Sequence, residues 1–94
     1  MKPLAIVRGA GDLATAVGRR LHLCGFSVLH LEIPRPTVIR RSVAFASAVF
    51  EGRIAVEDVT AVLARDISEV GAIVRGGQVA VLVDSEARSI GTLE

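Results

Sequence analysis

Apolar residues Leu4-Ala5-Ile6-Val7 run unbroken to Gly9, the pattern of a strand buried on both faces. After the glycines the period changes. Leu13, Ala14, Val17, Leu21 and Cys24 share one helical face, with Thr15, Arg19 and His22 opposite. This predicts a helix capped by Asp12 and stopped at Gly25, lying on the core through its apolar stripe. Positions 26–31 return to strand character, and two strands joined by one helix are expected to run parallel through a right-handed crossover. Pro34-Arg35-Pro36 interrupts the chain, and Thr37 can open the next helix. Ile39, Val43, Ala46 and Phe50 keep helical spacing, which predicts a helix over 38–50 ended by Gly52.

Positions 53–64 fit two patterns. Val59, Val62, Leu63 and Ile67 suit a helix, whereas two β-rich runs around Glu57-Asp58 suit a hairpin, and the weight of Val and Thr favours the hairpin. Asp66-Ile67-Ser68-Glu69 has the form of a capping box opening a helix to about residue 75, stopped by Gly76-Gly77. Residues 78–83 make a last strand, with Asp84 at its end. Strands and helices in this order imply an α/β fold: a three-layer Rossmann-like domain with a mainly parallel sheet and helices on both faces. The whole of 1–94 reads as one domain.

Composition narrows the function classes. The chain is 51% hydrophobic but only 3% aromatic, with mean hydropathy +0.54. That is more apolar surface than a small domain hides, so a homo-oligomer or a missing second half is expected. A net charge of +1 and the absence of Trp and Tyr argue against a nucleic-acid platform. A single cysteine, Cys24, rules out an internal disulfide, and its place on the helix stripe predicts burial. His22 and His30 lack metal-ligand spacing, so no metal is expected. No apolar run approaches membrane-span length and no leader pattern opens the chain, so no membrane partner and a cytoplasmic setting are expected. A strong strand so near Leu93-Glu94 points to the N-terminal portion of a longer protein.

The chemistry gathers near the first helix. Gly9-Ala10-Gly11-Asp12-Leu13-Ala14 matches G-x-G-x-x-A between a strand and a helix. Gly9 permits the tight turn, Gly11 lets a diphosphate approach the backbone, and Ala14 lets the helix sit close to the sheet. Free amides at the helix start favour an anion, although the charge of Asp12 opposes one. Glu32 ends the second strand about 20 residues on, where an acid can accept from ribose hydroxyls. Arg35, Arg40 and Arg41 follow and could hold a further phosphate, and Arg8 adds charge at the mouth of the turn. These residues point to a nucleotide-type small molecule. No catalytic triad, P-loop lysine or catalytic carboxylate pair is present, and no catalytic residue is assigned.

Val7-Arg8-Gly9-Ala10-Gly11-Asp12-Leu13-Ala14-Thr15, Arg20-Leu21-His22 and Gly25-Phe26 resemble the N-terminus of the YqeB-like family. Glu32-Ile33-Pro34-Arg35-Pro36-Thr37, Ile39-Arg40-Arg41-Ser42-Val43-Ala44-Phe45 and Phe50-Glu51-Gly52 extend the resemblance over almost the whole chain. Asp58 stands where the resemblance leads one to expect glycine. What the resemblance implies is an accessory role in maturing a selenium-dependent molybdenum hydroxylase, with that enzyme as a partner. NAD(P) or a molybdopterin dinucleotide are the cofactors to consider. Two other classes stay open: the NAD(P)-binding domain of an oxidoreductase or transferase, and a ligand-free protein-interaction domain.

Overall fold

A computed structural model describes residues 3–32 and 44–83. Strand β1 (Leu4–Arg8) leads through the glycine turn into helix α1 (Asp12–Leu23), and β2 (Ser27–Glu32) follows. A short 3-10 helix (Phe45–Ser47) runs into α2 (Ala48–Glu51). Then come β3 (Arg53–Val56), β4 (Val59–Ala64), α3 (Ile67–Arg75) and β5 (Val79–Val83).

One sheet holds all five strands in the order β1-β2-β5-β4-β3. β1, β2, β5 and β4 pair in parallel, and β3 pairs antiparallel with β4. The fold class is α/β, but the sheet is mixed, not mainly parallel as expected, because Glu57-Asp58 turns β3 straight back along β4. That turn settles 53–64 as a hairpin. Its cost is visible at Glu57, which adopts φ +55.

Strand alternation sorts the core. On one face Val28, Val79, Val81 and Val59 pack with Phe45 and Ala48; on the other Leu29, Leu31, Ala80 and Leu82 pack with Val70 of α3. β2 and β5 are central and buried on both faces, which their near-continuous apolar runs require. α3 is well delimited. Asp66 caps it by accepting from the Ser68 amide at 3.0 Å, and Glu69 accepts from the Arg65 amide at 2.6 Å.

Three expectations fail on packing. First, α1 rests on the core through only part of its apolar stripe, Leu21 and Ala14. Leu13 is 81% exposed, Val17 47% exposed and Cys24 exposed, while Thr15, set on the opposite face by periodicity, is 2% exposed. The helix turns its small side, Ala14, Thr15 and Gly18, toward the sheet because His30 lies beneath it and leaves room only for a glycine backbone. Second, the N-cap of α1 is Gly11; Asp12 is the first helical residue. Third, a helix over 38–50 cannot be continuous. Ala44 is extended at φ −125, ψ 129, and only the 3-10 turn and α2 follow it. Phe45, outside the predicted stripe, is fully buried, and Phe50, inside it, is 44% exposed. Residues 33–43 lie outside those described.

Candidate functional site

β1 and β2 end together, with Arg8 opposite Leu31, so the glycine turn and Glu32 meet at one sheet edge. The Gly9 amide donates to the Leu31 carbonyl at 2.7 Å and extends the ladder one step into the turn. Gly9 then takes φ +90, a conformation that disfavours any side chain. An ideal Cβ there would lie 4.0 Å from Ala14 Cβ, so space is not the constraint; the backbone is.

Ala10 is fully buried and held on both sides. Its amide donates to Glu32 Oε1 at 2.8 Å. Its carbonyl accepts from the Thr15 hydroxyl at 3.1 Å and from the Ala46 amide at 2.7 Å. Thr15 Oγ1 in turn accepts from the Phe45 amide at 2.8 Å, so one hydroxyl joins the turn, α1 and the 3-10 helix. This is why a threonine is buried on the face that periodicity had assigned to solvent.

His30 supplies the remaining anchor. Its Nδ1 lies 2.8 Å from the Gly9 carbonyl, which can only accept, so Nδ1 carries the proton. The ring stands edge-on to Phe45 at 5.2 Å. Burial pushes its pKa below the ordinary 6.5, against the smaller raising effects of the Gly9 bond and the Glu32 charge. Nε2 is buried without a hydrogen-bond partner.

Gly11 behaves differently from Gly9. It has φ −71, and a Cβ built on it meets nothing within 4 Å. The fold does not need glycine there. As N-cap it offers the first turn of α1 no side-chain acceptor, and the first backbone bond of the helix is Thr15 amide to Gly11 carbonyl at 2.8 Å. The amides of Asp12, Leu13 and Ala14 precede that bond and point out of the helix start. The Gly9 and Ala10 amides, by contrast, are spent inside the protein.

Gly9, Ala10, Gly11, Asp12, Leu13 and Glu32 are thus brought together, with exposed Arg8 at the rim. Glu32, expected to accept from ribose, is buried and accepts from the turn itself. Arg35, Arg40, Arg41 and Asp84 lie outside the described residues. Sequence reasoning missed His30, Thr15 and Phe45 as parts of the site. A histidine within an apolar strand and a mid-helix Gly18 were the available signals. Among the described residues no three His, Cys, Asp or Glu are grouped to hold a metal. No helix there is long and apolar enough to cross a membrane. An open groove of about 420 Å³ between β4 and α3, lined by Val62, Arg65, Glu69 and Ile73 among others, shares no residue with the turn.

Fold and turn together define an α/β domain with a braced glycine turn at the start of its first helix. The chain is 49% identical over 81 residues to the uncharacterized protein YqeB of Escherichia coli K12, a match that covers 86% of this chain. That similarity supports a YqeB-like family. The matched region spans 15% of the relative's length. No protein-family model matches the chain. No solved structure matches it.

Proposed function

We propose that the glycine turn and the first turn of α1 bind the phosphate of a nucleotide-bearing molecule, on a domain that is a three-layer Rossmann-like unit. The observation that carries this reading is Gly11. Its conformation suits any residue and its surroundings leave space for a side chain, so beyond its suitability as an N-cap what glycine provides there is close approach of something from outside. The biological setting we propose is accessory: handling NAD(P) or a molybdopterin dinucleotide while a selenium-dependent molybdenum hydroxylase is matured. This setting rests on the resemblance to YqeB-like sequences. Glu32 braces the turn before any ligand arrives, and the role left for it toward ribose is secondary.

The test is to titrate the protein with NAD(H), NADP(H), CTP, GTP and molybdopterin cytosine dinucleotide while following backbone amide shifts. Shifts at Gly11 to Ala14 with one of these are expected, and they should be lost in Gly11→Val. No shift with any of them would overturn the reading. It would favour a ligand-free interaction domain, for which the exposed Leu13, Val17 and Leu23 of α1 are the supporting observation.

A further inference from the structure

We propose that His30 is a positioning residue that latches the glycine turn only while its imidazole is neutral, so that acid releases the turn and with it any bound phosphate. The last clause rests on the phosphate-site reading above; the latch itself does not.

The argument is geometric. The Gly9 carbonyl fixes the proton on Nδ1, which leaves Nε2 as a bare lone pair. Nε2 faces Gly18 of α1 so closely that an ideal Cβ there would lie 2.1 Å from it and 2.6 Å from Cε1. Neither a side chain nor a water fits between them. A neutral ring tolerates this, since an orphaned imidazole acceptor is a modest cost. A proton on Nε2 is another matter, because it would create a buried, charged donor with nothing to receive it.

The surroundings offer little compensation. Gly9 of the turn contributes its carbonyl, already used, and Phe45 from the 3-10 helix contributes a ring edge. Gly18 from α1 brings no charge. Among the described residues, the carboxylate felt by the ring is Glu32, two residues along β2. Its Oε1 serves the Ala10 amide, and its attraction is outweighed by burial. Relief on protonation comes from moving the ring out, and the ring holds the Gly9 carbonyl. The turn and the start of α1 therefore move with it, whereas the backbone ladder of β5, paired with β2 at His30–Val81 and buried at the sheet's centre, does not depend on the ring.

The experiment uses the whole chain without ligand first. Ring nitrogen shifts of His30 report tautomer and protonation, and amide shifts and hydrogen exchange report the turn, from pH 8 to pH 4.5. The expected result is an Nδ1–H tautomer at pH 8. On protonation, Gly9 and Ala10 amides should shift with the ring's own midpoint and exchange roughly tenfold faster, while β5 amides stay protected. His30→Asn keeps a donor near the Nδ1 position and cannot titrate, so its turn should be indifferent to pH. Turn amides that ignore the His30 titration, an Nε2–H tautomer, or loss of β5 protection at the same midpoint would each overturn the latch. Sulfate, whose charge is constant across this range, is the anion probe. Its release at the same midpoint supports the coupling. Absence of sulfate binding at every pH, with the turn still titrating, would sink the phosphate-site reading and leave the latch standing.

Discussion

At the scale of single residues, the two glycines of the turn separate structure from binding. Gly9 is demanded by φ +90, so Gly9→Ala should destabilise by about 1–2 kcal/mol in urea unfolding. Gly11 has an ordinary φ and open space, so the methyl of Gly11→Ala meets no strain or clash, and the variant should lose no more than the ~1 kcal/mol by which alanine is poorer than glycine as an N-cap. If Gly11→Ala instead unfolds the protein, its glycine is structural and the main support for a ligand falls. Glu57 is the reverse case, a side chain at φ +55. Its bond to Arg19 at 2.9 Å is exposed on the Glu57 side and contributes little. Glu57→Gly should therefore stabilise the hairpin by roughly 0.5–1 kcal/mol, read as a higher urea midpoint at constant slope. The G-x-G-x-x-A pattern was legible in the chain because glycine spacing is local. That Glu32 would close on the Ala10 amide was not, because it depends on where two strands happen to end.

At the scale of elements, the setting of α1 on the sheet is decided by one pair, Gly18 and His30. Glycine inside a helix costs about 1 kcal/mol relative to alanine, so on propensity alone Gly18→Ala should stabilise. The structure predicts the opposite, since the added methyl would fall within 2.1 Å of Nε2 in a ring wedged between β2 and α1. A loss of about 2–3 kcal/mol is expected in thermal or urea unfolding. The double variant Gly18→Ala with His30→Ala should recover part of it. Periodicity read the opposite face as buried because it weighs hydrophobicity and not size. α1 here is seated by its smallest residues, one hydroxyl and Leu21, and Leu13, Val17 and Leu23 are left outside. By contrast α3, whose cap, stripe and stop agree, lies where the pattern put it.

At the scale of the whole molecule, two acid-sensitive ranges are expected. His30 has a folded-state pKa below its ordinary 6.5, so in acid the unfolded chain binds a proton that the folded one refuses. Stability is therefore full above about pH 6.5 and declines as pH falls from there toward the folded pKa. Asp58, Asp66 and Glu69 have pKa values lowered by their bonds to Arg19, Ser68 and Arg65 respectively. For them stability is present above the ordinary carboxylate range and is lost as pH falls through their folded values, a second and lower window. A pH series of urea midpoints should show both declines in the wild type. Only the lower one should remain in His30→Asn, and an unchanged upper decline in that variant would count against His30 as its source.

What the chain determined alone was set by near neighbours: the strand–turn–helix–strand unit, the capped third helix and the glycine pattern. These depend on backbone propensity, capping and turn chemistry within a few residues of each other. The tertiary structure decided which face of α1 is inside, that the sheet is mixed, and that the turn is braced by His30, Glu32 and Thr15. Those outcomes depend on contacts between elements, such as Gly9 with His30 and Ala10 with Glu32, 21 and 22 positions apart, and Gly18 against His30. Their sign is set by how much room one side chain leaves for another, a quantity that no spacing in the sequence records.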